Sequence, residues 1–130
     1  MLFRSAAAQP LCLWVSSYHV GYEWSDGIER GLREGLKGAC RLESFYMDTN
    51  RHPDEAQQHA AVALERINTL KPDVVILSDD SASRHLAVPY LKQRPIPLVF
   101  CGINWELGSY DYPWPNATGK IGRASCRERV

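Results

Sequence analysis

Ser17, Tyr18, His19, Tyr22, Glu23 and Trp24 crowd into a short segment directly after the apolar run Leu11–Ser16. A serine two residues from a histidine invites a nucleophile-and-base reading, but no GxSxG elbow places that serine. Cys101 could be set beside His19 as a thiol–imidazole pair, since both follow apolar runs. No third group to orient the base and no oxyanion hole is legible. Catalysis is therefore not expected, and binding is. Three more polar clusters follow apolar runs in the same way: Asp48, Thr49 and Asn50; Ser78, Asp79, Asp80 and Ser81; Gly102, Asn104 and Trp105. Aromatic rings offer flat apolar walls, and hydroxyl, amide and carboxylate groups fix orientation, a mix that suits a small polar ligand with a planar or apolar part. Phosphate fits poorly, because GxGxxG and GKS/T are both missing. Simpler roles stand beside each of these. Tyr18, Tyr22 and Trp24 could pack a helix layer, Asp79 could cap a helix, His19 could be structural, and His52, His59 and His85 could face solvent.

The elements that would position these groups can be read from periodicity. Leu11–Ser16 is a buried strand. Ser25 or Asp26 is expected to cap a helix whose stripe is Ile28, Leu32 and Leu36, with Gly38 closing it. Gly27, Gly31 and Gly35 lie beside that stripe, and close approach to a sheet would offset their cost of about 1 kcal/mol each. Arg41–Met47 is the second strand. Pro53 begins a helix whose first turn is acidic at Asp54 and Glu55 and whose buried face is Ala60, Ala63, Leu64, Ile67 and Leu70. Val74–Leu77 is the third strand, followed by a short helix from about Ala82 to Lys92, with Pro89 shortening or kinking it. Leu98–Cys101 is the fourth strand. Gly102–Pro115 is a long aromatic loop without a clear period, and a fifth strand begins near Ala117. The order βαβαβαβ predicts an α/β fold: an open parallel sheet with helices on both faces, Rossmann-like, with ligands beyond the carboxyl ends of the strands. Pro72–Leu77 followed by acids also resembles the central strand of a phospho-acceptor receiver domain. That site needs acids after the first strand to hold a divalent cation, and Ser16 and Ser17 stand there instead.

The chain has 130 residues and a formal net charge of zero, which suits one domain. A basic stripe is missing, so nucleic acid is not an expected partner. The cysteines show no CxxC and no metal spacing, and neither a metal nor a cofactor is expected. Buried thiols are the default reading for Cys12, Cys40 and Cys101, with a Cys12–Cys40 disulfide open if their strands are neighbours. The two ends look foreign. Ile121–Val130 (IGRASCRERV) resembles a translated reading frame of a common short-read sequencing adapter, and Leu2–Ser5 resembles the end of its partner; the alternative for the tail is a natural basic segment. Ala6-Ala7-Ala8 matches the small-residue rule for a secretory cleavage site, or else is a short Ala-rich leader. The expected division is 1–9 as scar and signal-peptide remnant, 10–120 as an α/β lobe, and 121–130 as a non-native tail.

Four blocks carry a family resemblance: SSYHVGYEWSDGIERGLREGL (Ser16–Leu36), FYMDTNRHPDE (Phe45–Glu55), KPDVVILSDDSAS (Lys71–Ser83) and PLVFCGIN (Pro97–Asn104). They resemble the substrate-binding proteins of ABC transporters with the type I periplasmic fold, and Asn116-Ala117-Thr118-Gly119 resembles the segment before that family's next strand. The resemblance implies a truncated, N-terminal lobe of a hinged two-lobe protein. Such a protein captures a small polar metabolite, such as an amino acid, and works with a transporter permease in the periplasm or on the extracellular face of a bacterial membrane. It implies Tyr18, His19, Tyr22, Trp24, Asp79, Asp80, Ser81 and Asn104 as ligand-facing residues, and no catalysis. The same module occurs as the extracellular sensor of membrane histidine kinases and diguanylate cyclases, so sensing stays open beside transport. With the C-terminal lobe missing, half of a cleft is expected to bind weakly or not at all.

Overall fold

A computed structural model describes residues 9–103 and 110–121. Five strands form one sheet in which every pair is parallel: β1 (Leu11–Ser16), β2 (Arg41–Tyr46), β3 (Val74–Ser78), β4 (Leu98–Ile103) and β5 (Ala117–Ile121), in the order β2-β1-β3-β4-β5. The open parallel α/β sheet expected from the element order is present. Helix α1 (Glu23–Gly35) joins β1 to β2, and α2 (Ala56–Leu70), preceded by a 3₁₀ turn at Pro53–Glu55, joins β2 to β3. Helix α3 (Asp79–Ala82) leads without a break into a π-helical stretch, Ser83–Leu91, before β4. No helix among the described residues is long and apolar enough to cross a membrane.

Strand alternation sends side chains to two separate cores. Leu13, Val15, Val75, Leu77, Leu98 and Phe100 point to one face, where Ala60, Ala63 and Ile67 of α2 and Leu86, Ala87 and Leu91 of the π-helical stretch cover them. Cys12, Trp14 and Ile76 point to the other, under Ile28, Leu32 and Leu36 of α1. The expected buried faces of α1 and α2 are therefore the observed ones, with Leu64 and Leu70 partly buried at the margin. Each side chain fully withdrawn from water on these faces contributes roughly 1.5–3 kcal/mol.

Three local expectations are corrected. Helix α1 starts at Glu23, before Ser25 and Asp26, and Tyr22 is its cap residue without a side-chain bond. Ser25 is instead buried under β1, and the Asp26 carboxylate accepts the Gly21 N–H at 3.1 Å. The α1 glycines do not approach the sheet: a Cβ on Gly31 or Gly35 would meet nothing within 4 Å, and one on Gly27 would meet only Arg30 at 3.7 Å. They lie off the Ile28–Leu32–Leu36 stripe on the outward side, where the fold shows no packing reason for them. The third helix begins at Asp79, directly at the end of β3, rather than near Ala82. Pro89 lies inside the π-helical stretch, which runs on to Leu91.

Candidate functional site

The parallel register sets Tyr46, Ser16, Ser78 and Cys101 in one row at the carboxyl ends of β2, β1, β3 and β4. The polar clusters after β1, β2 and β3 leave from this row, and Gly102 of the fourth follows Cys101. Between β1 and β3 the connections diverge, to α1 on one face and α3 on the other, which is the position where open α/β sheets form a crevice.

Buried hydroxyls build the floor. Ser17 Oγ donates to Ser78 O at 2.7 Å and accepts the Ala82 N–H at 2.9 Å, so it ties β1 to β3 and holds the first turn of α3. Thr49 fastens the next loop by donating both Oγ1–H (2.8 Å) and N–H (2.9 Å) to Ser17 O. The Trp14 indole donates to Ser78 Oγ at 3.0 Å. Ser17 is thus fully buried and already engaged on both sides of its hydroxyl, a scaffold group rather than a nucleophile.

Above this floor the structure brings most of the expected residues together. The Trp24 indole N–H donates to Asp79 Oδ1 at 2.7 Å, joining α1 to α3 across the crevice. Asp79 is completely buried and has φ +72°, a left-handed conformation costing about 1–2 kcal/mol for a side chain with a Cβ. Gly102, at φ +70°, lies against that carboxylate: a Cβ there would come within 2.7 Å of Asp79 Oδ1. Asp79 is therefore not a plain helix cap; it is the first residue of α3, with its carboxylate held between Trp24 and Gly102. Asp80 and Ser81, half-buried, follow on the same turn. Tyr18 and Tyr22 pack with ring centroids 4.9 Å apart, and His19 lies 5.5 Å from Tyr22. Tyr22 is largely exposed, leaving a ring face open to solvent. A groove of about 670 Å³ runs beside this cluster, lined by Tyr22, Glu23, Trp24, Gly27, Ile28 and Arg30. Asn104 lies outside the described residues.

The loop after β2 supports the aromatic cluster. His19 Nδ1 meets Asn50 Oδ1 at 3.2 Å and lies 3.7 Å from Asp48. Arg51 grips Asp48 with two bonds of 2.8 and 2.6 Å. The Arg51 hydrogen bond holds the Asp48 carboxyl below the ordinary carboxylate range, aided by the charges of Arg51, His52 and His19 and opposed by desolvation. Of the histidines expected to face solvent, only His52 is exposed. His59 bonds to Met47 O and pairs with Glu55, and His85 is half-buried, with desolvation and then Arg84 pushing its pKa down.

Sequence reasoning missed Tyr110, Tyr112 and Trp114. All three are buried, while Asp111 and Pro113 between them and Pro115 after them are exposed. That strict alternation was a usable signal in a segment read as having no period. Tyr110 OH donates to Asp80 Oδ1 at 2.8 Å, and Tyr112 stacks on Phe100 with centroids 4.0 Å apart and meets Ser83 Oγ at 2.8 Å. Burial pushes both phenols up to about 12, reinforced at Tyr110 by its bond to Asp80. The aromatic segment thus braces α3 from behind and orients Asp80.

No family model matches the chain, and no curated protein matches it. Two solved structures do. One, described as the ABC domain in complex with L-Trp from Streptococcus pneumonia, is 18% identical, with a TM-score of 0.62 over 88% of this chain and 39% of that one. The other, described as a conserved domain protein from Vibrio cholerae O1 biovar El Tor str. N16961, is 21% identical, with a TM-score of 0.62 over 85% of this chain and 38% of that one. This chain spans less than two-fifths of either neighbour. At such identity the likeness speaks for the fold alone, and that fold is a Rossmann-like open α/β lobe.

Proposed function

We propose that this chain is one lobe of a hinged two-lobe solute-binding protein, and that it contributes one wall of a cleft for a small polar metabolite bearing a planar or apolar part. The observation that carries this reading is the convergence at the β1–β3 divergence. Tyr18, His19 and Tyr22 form an aromatic wall there, Asp80 and Ser81 supply polar groups, and Trp24 and Asp79 lock the two sides together. In this reading Asp79 is a buried support, and the half-buried Asp80 and Ser81 meet the ligand. The Streptococcus neighbour, in complex with L-Trp, supports an aromatic amino acid as the first ligand to try. The role is binding in transport, with a permease as partner and a location outside the cytoplasmic membrane. Catalysis is not part of the proposal, since the serine nearest a histidine is buried as scaffold.

Titration of the ¹⁵N-labelled chain with L-tryptophan tests the reading. A single wall binds in the millimolar range at best, because a typical site encloses about 70–90% of its ligand. Shift changes are expected in 17–24, 48–51 and 78–81. Changes confined to the opposite, amino-terminal edge would overturn it.

A further inference from the structure

Cys12 and Cys40 are both free thiols, and both pack on the same face of the sheet at the amino-terminal end of β1 and β2. β1 and β2 are adjacent and parallel, with Leu11 opposite Arg41 and Cys12 opposite Leu42. Cys40 stands immediately before β2, in the turn where its N–H still bonds to Leu36 O of the α1 terminus at 3.2 Å. Both side chains face α1: Cys12 is buried there with Trp14 and Ile76, and Cys40 packs against the same cluster. A hydrogen bond from the Cys40 side chain is among the causes that raise the Cys12 thiol, after burial.

We propose that Cys12 and Cys40 form an oxidative staple: a disulfide that ties the start of β2 to β1 and encloses the whole of α1 and the Ser17–Trp24 loop. The oxidant is a disulfide compound, for which oxidised glutathione serves as the probe. Cys40, the more exposed thiol, attacks as thiolate, forming a mixed disulfide and releasing one glutathione thiolate. Cys12 then attacks the Cys40 sulfur and releases the second. Two protein thiols lose two electrons and two protons, and one glutathione disulfide becomes two thiols, so the exchange balances. Burial first, then the hydrogen bond and charge of Cys40, push Cys12 up to about 12. In the mixed disulfide the Cys40 hydrogen bond and charge are gone while burial remains, so the closing step still waits on the Cys12 thiolate and quickens as pH rises above neutrality. The staple lies at the opposite end of β1 from the candidate site, so it constrains the unfolded chain without touching the ligand wall.

The test uses the full chain carrying Cys101→Ser and Cys126→Ser, so that only this pair can react. After incubation with oxidised glutathione at pH 9, a monomer lighter by about 2 Da is expected, with the Cys12–Cys40 peptide recovered on digestion. A Tm higher by roughly 10 °C and reversed by reductant is also expected. Adding Cys40→Ser, at a partly exposed position, must abolish the mass loss and the Tm rise. Stable glutathionylation of Cys40 with Cys12 still free, covalent dimers instead of the intramolecular product, or a disulfide that lowers Tm would each overturn the proposal.

Discussion

The two ends of the same sheet solve the problem of unpaired strand termini in different ways. At the amino-terminal edge, polar groups close locally and completely. The Asp73 carboxylate accepts the Leu11 N–H at 2.7 Å, and the Asn116 amide donates to Leu91 O, Arg94 O and Ile96 O at 3.3, 2.8 and 3.1 Å. At the carboxyl-terminal edge the hydroxyls of Ser17 and Thr49 satisfy the backbone from below, and the groups above them stay partly exposed around a crevice. Non-glycine residues with positive φ occur on that side at Asp48 and Asp79, and at the amino-terminal edge at Lys71. One end is organised for stability, the other for contact, and single changes should separate them.

The largest effect should come from the stabilising end. Asn116→Ala removes the amide shared by three part-buried carbonyls; Leu91 O keeps the Arg94 N–H at 3.1 Å, while Arg94 O and Ile96 O lose this donor, at on the order of 1 kcal/mol or more each. A loss of about 2–3 kcal/mol in denaturant unfolding is expected, with no change in the L-tryptophan shift pattern where the protein stays folded. An Asn116→Ala chain of unchanged stability would show that the amino-terminal edge is not closed in this way.

Next in size is the alkaline limit. Tyr112 is almost wholly buried, and burial raises its phenol from about 10 to about 12. A raised folded-state value means that its contribution is fully present below pH 10 and is lost as pH rises from 10 to 12. The difference corresponds to roughly 2–3 kcal/mol. Stability measured against pH should fall across that window, and Tyr112→Phe should reduce the fall by its own share, leaving that of Tyr110 and Tyr46, which are raised in the same way, while removing the bond to Ser83.

Gly102→Ala should cost about 2 kcal/mol, from a disfavoured φ and a Cβ driven into Asp79. Because the strain falls on the carboxylate that holds Trp24, the Trp24 indole N–H resonance should move more than those of Trp14 and Trp114. Trp24→Phe, which removes only the donor, should cost about 1–2 kcal/mol. Equal resonance shifts at the three indoles under Gly102→Ala would dissociate Gly102 from the crevice.

The difference between the two ends also explains what was legible in the sequence. Continuous apolar runs such as VVIL announced the strands, and the spacing of Ala60, Ala63 and Ile67 announced the covered face of α2, because burial acts on side-chain type. The strand ends expected from the sequence, Met47, Ser16, Leu77 and Cys101, fall on or within one residue of the row Tyr46–Ser16–Ser78–Cys101. Tertiary bonds made by small polar residues were not legible. Ser25 and Asp26 have the side chains of helix caps, but one is buried under β1 and the other holds the Gly21 N–H, so residue type misplaced the start of α1. Aspartate tolerates a positive φ better than most residues, but its type alone does not tell Asp79 from Asp80, and only Asp79 takes that conformation at the passage from β3 into α3. The Tyr110–Tyr112–Trp114 alternation was present but short, and its aromatic neighbours masked it.

The smallest effect should fall on Arg51, which is exposed and grips Asp48 from the solvent side. An exposed ion pair adds little to stability, so Arg51→Ala should leave the unfolding midpoint at pH 7 nearly unchanged. Its signature lies in titration. Asp48 is held below the usual range chiefly by the Arg51 hydrogen bond, so the mutant's Asp48 carboxyl carbon should titrate at higher pH. A depressed folded-state value stabilises above the unfolded pKa of about 3.9 and is lost as pH falls through the folded value. The wild type should therefore keep this contribution to lower pH than the mutant does. Because Asp48 also lies beside His19, the mutant should show altered ring shifts at His19 and Tyr22, on the contact side of the molecule only. Shifts that spread to the β3–β4 amino-terminal edge would mean that the two ends are coupled, and the division drawn between them would fail.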